Sequence, residues 1–238
     1  QGTRADRLHA FMDAVRTVYA STTSREALIY RARRHLLDRE EQMALLVQRV
    51  SGQRYGRYYY PQVAGAGFSF NPFVWHSAID PKAGFLRLVF GLGTRAVNRA
   101  DDDYTRIVAL NAPQRLPVGH PEEARKYAQR RVDVLDLRDN RQVSLPFEEV
   151  AQGSPRLPLH VFADRDRGLA ALASEPGSQH VFPWTLQFEG LLGHTEFVAD
   201  MREILQTLEA AYAYPVDIEF TANFVDQRSY RIGIVQCR

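Results

Sequence analysis

Cysteine is nearly absent from this chain, with Cys237 the single example in 238 residues. One thiol excludes an intramolecular disulfide framework, and such usage fits a reducing compartment. No apolar run reaches the roughly 18 residues that a membrane span requires. The opening stretch, QGTRADRLHAFMDAV, lacks the hydrophobic centre of a secretion signal and begins directly on helical periodicity, as expected of a chain cut from something longer. An excess of either charge is missing too: 30 basic and 28 acidic side chains give a formal net charge of +2. The concentrated basic footprint of a nucleic-acid binder is therefore not expected. Together these absences predict a cytoplasmic protein with no membrane and no nucleic-acid partner.

Several motifs are missing as well. No G-x-x-x-x-G-K-[ST] occurs, which excludes a P-loop. No G-x-S-x-G elbow supports a hydrolase. The seven histidines show no H-E-x-x-H or other ligand spacing, so each reads as structural.

What remains is an ordinary globular composition, 45% hydrophobic and 24% charged, with length enough for a substantial core. Leu8, Phe11, Met12, Val15 and Val18 recur at helical spacing, predicting a helix up to about Ala20. STTSREALIYRARRHLLDREEQ supplies Ser/Thr caps, with Glu26 in a first turn, and predicts a second amphipathic helix. The arginines at 31, 33, 34 and 39 read as its solvated face. MALLVQRV, Met43 to Val50, reads as a buried strand because it is short, apolar and flanked by polar segments.

The Gly- and Tyr-rich stretch SGQRYGRYYYPQVAGAGFSFNPF predicts paired strands joined by tight turns, with the tyrosines in the core. GFLRLVFGLGTRAV reads as a strand, a glycine turn and a short helical element. DDDYTRIVALNAP predicts another strand, VDVLDLRDNRQVSL two strands around an Asp-Asn turn. Near residues 113–125 the texture becomes polar and proline-interrupted, which marks a weak internal boundary within a single domain spanning 1–238. Phe197, Met201, Ile204, Leu205 and Leu208 fall at helical period, and Pro215 stops that helix.

The chain closes on PVDIEFTANFVDQRSYRIGIVQCR, which reads as a hairpin. Strand alternation puts Asp217 and Glu219 on one face and Val216, Ile218 and Phe220 on the other. Gln236 and Arg238 likewise share a face on the partner strand, against Val235 and Cys237. If the apolar faces meet, two carboxylates, an amide and a guanidinium collect on one surface. Carboxylate and amide oxygens suit Mg²⁺, and a guanidinium fork suits phosphate oxygens. A half-exposed hairpin also alternates in this way with no function at all, and pattern alone favours that plainer account.

GLGTRA, after LRLVF, matches G-x-G-x-x-[GA] through Gly91, Gly93 and Ala96. VNRADDDY then breaks the long helix that a dinucleotide fold would need, and no strand-end acid follows at the ribose distance. The motif therefore reads as a glycine turn, and a nicotinamide-dependent oxidoreductase is the weakest of the functional readings.

The order of the motifs carries more than any one of them. YASTTSREALIYRARR, EEQMALLVQRV, GAGFSFNPF, GLGTRAVNRADDDY and PVDIEF…IVQCR together resemble the ATP-binding domain of phosphoenolpyruvate synthase and pyruvate phosphate dikinase. The resemblance implies an α+β, ATP-grasp-like fold: a mixed or antiparallel sheet flanked by helices and ending in a polar-faced β-hairpin. It implies ATP and Mg²⁺ as ligands, with Glu219 and Gln236 as metal ligands supported by Asp217, and Arg238 on the nucleotide phosphates. Gln48, Arg49 and Val50 would form the hinge beside the adenine. Gly91 and Gly93, with Thr94 after them, would let backbone approach the nucleotide. The expected partners are phosphohistidine and acceptor-binding domains of the same longer protein, a histidine there receiving the phosphoryl group.

The chain differs from the family's usual form in two ways. Thr94 stands where an acid commonly follows Gly-Leu-Gly, and TANFVDQRS lengthens the loop between Glu219 and Gln236. The resemblance also puts a phosphate-binding lysine and a second arginine in an amino-terminal lobe outside this stretch. An isolated segment of that kind is expected to be inactive. The rival expectation is a degenerate, non-catalytic module that binds nucleotide or a protein partner.

Overall fold

The computed structural model describes residues 2–97, 103–117, 126–175, 181–226 and 229–238. The chain divides into two compact units, Gln1–Val50 and Ser51–Arg238.

In the first unit, helix α1 spans Arg4–Ser21 and α2 spans Arg25–Arg33. Thr3 and Asp6 close a reciprocal capping box on α1: the Asp6 amide donates to Thr3 Oγ1 at 3.1 Å, and the Thr3 amide donates to Asp6 Oδ2 at 2.8 Å. Ser24 caps α2 by accepting from the Ala27 amide at 3.2 Å. Neither helix buries a residue. Arg31 is not simply solvated: it pairs with Glu41 at 2.9 Å and donates to the Leu36 carbonyl at 3.1 Å, tying down the segment after α2.

Residues 43–50 correct the sequence reading. They form no strand, and Leu46 and Val47 are 78% and 69% exposed. Apolar content alone does not make a strand, which also needs a neighbour to accept its ladder of hydrogen bonds. Among the described residues this unit contains only helices and irregular backbone.

The second unit runs β1 (Gln53–Tyr55), β2 (Tyr58–Tyr60), β3 (Val63–Phe68), β4 (Phe85–Val89), α3 (Thr94–Val97), β5 (Arg106–Ala109), β6 (Arg131–Asp136), β7 (Arg141–Pro146) and α4 (Phe147–Gln152). It continues with α5 (Leu159–Phe162), β8 (Ala163–Arg165), α6 (Arg167–Ala173), β9 (Trp184–Leu186), α7 (Glu189–His194), α8 (Phe197–Tyr212), β10 (Asp217–Phe224) and β11 (Tyr230–Cys237). The strands form a four-stranded sheet ordered β1-β2-β6-β7, a five-stranded sheet ordered β11-β10-β3-β4-β5, and a β8-β9 pair. Every pairing is antiparallel. The architecture is α+β with antiparallel sheets flanked by helices. No described helix is long and apolar enough to cross a membrane.

One core joins the two larger sheets. Phe90, fully buried, sits 5.4 Å from the Tyr60 ring, 5.6 Å from Phe147 and 5.5 Å from Phe162, measured between centroids. Tyr55, Tyr58 and Tyr60 are all buried, so the tyrosine cluster is core rather than a stacking surface. Helix α8 buries Phe197, Met201 and Leu205 against the five-stranded sheet, with Phe197 6.1 Å from Phe220. Pro215 follows a left-handed Ala213 that ends the helix. The boundary expected near 113–125 falls largely on residues 118–125, outside the described residues.

Candidate functional site

The closing hairpin lies at one edge of the five-stranded sheet. Directly opposed residues of antiparallel strands share a face, so the register assigns each side chain. Asp217 is bonded to Arg238 in both directions: the Asp217 amide donates to the Arg238 carbonyl at 2.9 Å, and the Arg238 amide donates back at 2.8 Å. Glu219 lies opposite Gln236, and Ile218 opposite Cys237. Ile218 is buried while Asp217, Gln236 and Arg238 are exposed and Glu219 is half-buried. The two carboxylates, the amide and the guanidinium therefore stand on one face. Arg238 reaches diagonally and donates to Glu219 Oε1 at 3.1 Å.

A β-bulge makes this segregation possible. Simple alternation along β11 would put Ile232, Ile234, Gln236 and Arg238 all on one side. The pairing shifts between Glu219 and Phe220, so Phe220 opposes Ile234 and Val235 is the extra residue. Ile232 and Ile234 then join the face of Phe220, and Gln236 and Arg238 join the face of Glu219. Re-aiming side chains is what a bulge does, and bulges are enriched next to functional sites. Sequence alternation carried no sign of it.

The same register extends the polar face inward. Glu219 opposes Ala66 of β3, which opposes Arg87 of β4; Asp217 opposes Phe68, which opposes Phe85. The row Gln236–Glu219–Ala66–Arg87 thus crosses four strands, with a small residue between the acid and the second arginine. At one end the face meets Phe68 and Phe85, stacked at 4.5 Å with 9° between planes. At the other, Ala96 of α3 packs on Ala64 and Val89. Arg87 was not among the expected site residues. Its signal in FLRLV was a single charge in an apolar run, flanked by the buried Leu86 and Leu88.

The glycine turn behaves differently at each position. Gly91 has φ +92°, and a Cβ there would lie 2.5 Å from Val132 Cγ1 and 2.7 Å from the Asp133 carbonyl oxygen. Glycine is thus required by contact with β6 as well as by the backbone angle. Gly93 has only Ala64 Cβ nearby, at 3.4 Å. Thr94 donates its hydroxyl to Asp133 Oδ2 at 2.6 Å, and Arg95 Nε donates to Asp133 Oδ1 at 3.0 Å. Arg95 also reaches Asp103 Oδ2 at 3.4 Å and donates to Ser144 Oγ at 2.7 Å. Burial works against the Asp133 carboxylate, yet hydrogen bonds from Thr94, Ser144 and Arg95, with the Arg95 charge, hold its carboxyl below the usual range. The sequence reading missed this network, whose one signal was an acid inside the apolar strand VDVLDL.

Gln48, Arg49 and Val50 are exposed at the end of the first unit, in irregular backbone rather than a strand. The hairpin belongs to the second unit. Residues 227 and 228 of the hairpin loop and residues 98–102 after the glycine turn lie outside the described residues. Among the described residues no group of three or more His, Cys, Asp or Glu side chains is gathered to hold a metal. The hairpin offers instead one half-buried carboxylate, one exposed carboxylate and an amide. That donor set fits Mg²⁺, which is held by one or two carboxylates together with water and substrate phosphates rather than by an all-protein cage.

Residues 5–238 match the family model described as pyruvate phosphate dikinase, AMP/ATP-binding domain. No curated protein matches significantly. The match spans nearly the whole chain, which therefore belongs to the pyruvate phosphate dikinase AMP/ATP-binding family, with the α+β architecture of an ATP-grasp-like domain.

Proposed function

From that membership, we propose that this domain binds Mg·ATP on the polar face of the β10–β11 hairpin and serves phosphoryl transfer to a histidine on another domain of a longer, dikinase-type enzyme. The observation carrying the reading is the register that brings Asp217, Glu219, Gln236 and Arg238 to one face. Glu219 and Gln236 hold the metal, with Asp217 in support, and Arg238 meets the phosphates. Bound Mg²⁺ supplies charge neutralisation for the migrating phosphoryl group.

Transfer of this kind is mostly positioning and electrostatics, so no general base from this segment is required. Arg238, whose guanidinium is exposed and donates to Glu219 Oε1 at 3.1 Å, would offer its fork to phosphate oxygens. The backbone around Gly91 and Gly93 is proposed to approach the nucleotide. Thr94 contributes through the loop's backbone, because its hydroxyl is engaged by Asp133. That engagement also favours a second reading, in which the domain binds nucleotide without turnover.

Calorimetric titration with ATP, with and without Mg²⁺, tests the proposal. Magnesium-dependent binding at roughly 0.1–1 mM, about 4–5.5 kcal/mol, is expected, and Arg238→Ala should abolish most of the heat. Binding that ignores both Mg²⁺ and Arg238 would overturn it.

A further inference from the structure

We propose that Arg87 is a second polyphosphate-binding guanidinium, gripping the β- and γ-phosphates from the β4 side while Arg238 approaches from β11. The inference rests on reading the hairpin face as a nucleotide site, and it adds a residue that neither the motifs nor the hairpin supply.

Three observations carry it. First, the ladder register puts Arg87 on the same face as Glu219, with only Ala66 between them. Two strand spacings separate the Arg87 and Glu219 backbones, roughly 10 Å, and an extended arginine spans most of that gap over an alanine floor. Second, Arg87 is half-buried, yet its guanidinium lies over the Phe68 ring at 5.5 Å and meets no carboxylate or hydrogen-bond acceptor among the described residues. The other half-buried or buried arginines of this unit have acceptors: Arg95 pairs with Asp133 and Asp103, Arg106 pairs with Glu189 at 3.1 Å, and Arg131 and Arg202 donate to the Ser144 and Leu110 carbonyls, each at 2.6 Å. A guanidinium has five donors, and withdrawing one from water without an anion is costly. Third, Phe68 is itself held by its stack on Phe85, so the ring presents the guanidinium rather than letting it swing free.

The resulting arrangement alternates charge across the face: Arg238 at the edge reaches diagonally from the neighbouring row to the Glu219 carboxylate, and Arg87 lies beyond Ala66 on the other side. A metal-bound polyphosphate is complementary to that pattern, since its cation meets the acid and its oxygens meet a guanidinium on either side. Adenosine monophosphate, with one phosphate, cannot span it.

Titration of wild type, Arg87→Met, Arg87→Gln and Glu219→Gln with Mg·ATP and with AMP tests the assignment, with melting curves identifying which Arg87 variant keeps wild-type stability. The folded Arg87 variant should bind Mg·ATP roughly tenfold or more weakly, the loss of one charge-assisted contact, while AMP affinity changes by less than about twofold. If wild type binds Mg·ATP and Glu219→Gln weakens it but the Arg87 variants do not, the Arg87 assignment is overturned and the hairpin reading stands. Equal weakening toward ATP and AMP would also overturn it. Wild type that fails to bind Mg·ATP would overturn both.

Discussion

The two faces of the five-stranded sheet are built from the same strands and do opposite things. Toward α8 the sheet presents Ile218, Phe220, Ala222, Leu86 and Leu88, each 1% exposed or less, closed by Phe197 and Met201. On the other side the same strands present Asp217, Glu219, Gln236, Arg238 and Arg87 over Ala64 and Ala66. Stability resides on the first face, and ligand chemistry is what we propose for the second. Substitutions on one should therefore leave the other largely untouched, which gives the comparison a way to fail.

The largest effect is expected from Phe220→Ala, which empties a fully buried position beside Phe197. It should cost about 3–5 kcal/mol in a denaturant titration, with ATP affinity of the remaining folded fraction little changed. Gly91→Ala comes next. A side chain in left-handed backbone costs about 1–2 kcal/mol, and pressing it onto Val132 and Asp133 adds about as much again; Gly93→Ala should be close to neutral by the same assay.

Asp133→Asn tests the network behind the glycine turn, with an expected loss of about 1–3 kcal/mol at neutral pH. The pH dependence has a definite sign. The Asp133 carboxyl titrates lower in the folded chain than its ordinary value of 3.8, so the unfolded chain takes up the proton first as pH falls. The stabilisation is complete above that ordinary value and drains away as pH drops through the folded one. Stability measured below about pH 4 should fall less steeply in Asp133→Asn than in wild type. The smallest effect on stability is expected from Arg238→Ala. Its side chain is 59% exposed, and such pairs contribute less than about 1 kcal/mol, so a melting curve near wild type beside a lost ATP signal would separate the two faces cleanly.

Legibility in the sequence followed how local the determining physics was. The α8 periodicity, the Asn140 turn between β6 and β7, and the capped start of α2 depend on neighbours within a few residues, and all appeared where the pattern put them. The sharing of a face by Asp217 and Glu219 followed from alternation alone. MALLVQRV was misread because its fate turns on whether a partner strand exists, which no local pattern records. The bulge at Val235 was invisible because it breaks alternation, the rule used to read the strand. Arg87 escaped notice because its importance comes from lying two strands away from Glu219, a distance of well over a hundred residues in sequence.

The most direct test of the central claim is amide hydrogen exchange of the chain with and without Mg·ATP. Protection concentrated at residues 217–219 and 236–238, with β6 and β7 unchanged, is the predicted result. Unchanged exchange at the hairpin under saturating nucleotide, or protection confined to the β6–β7 sheet, would contradict the claim that Mg·ATP sits on the hairpin's polar face.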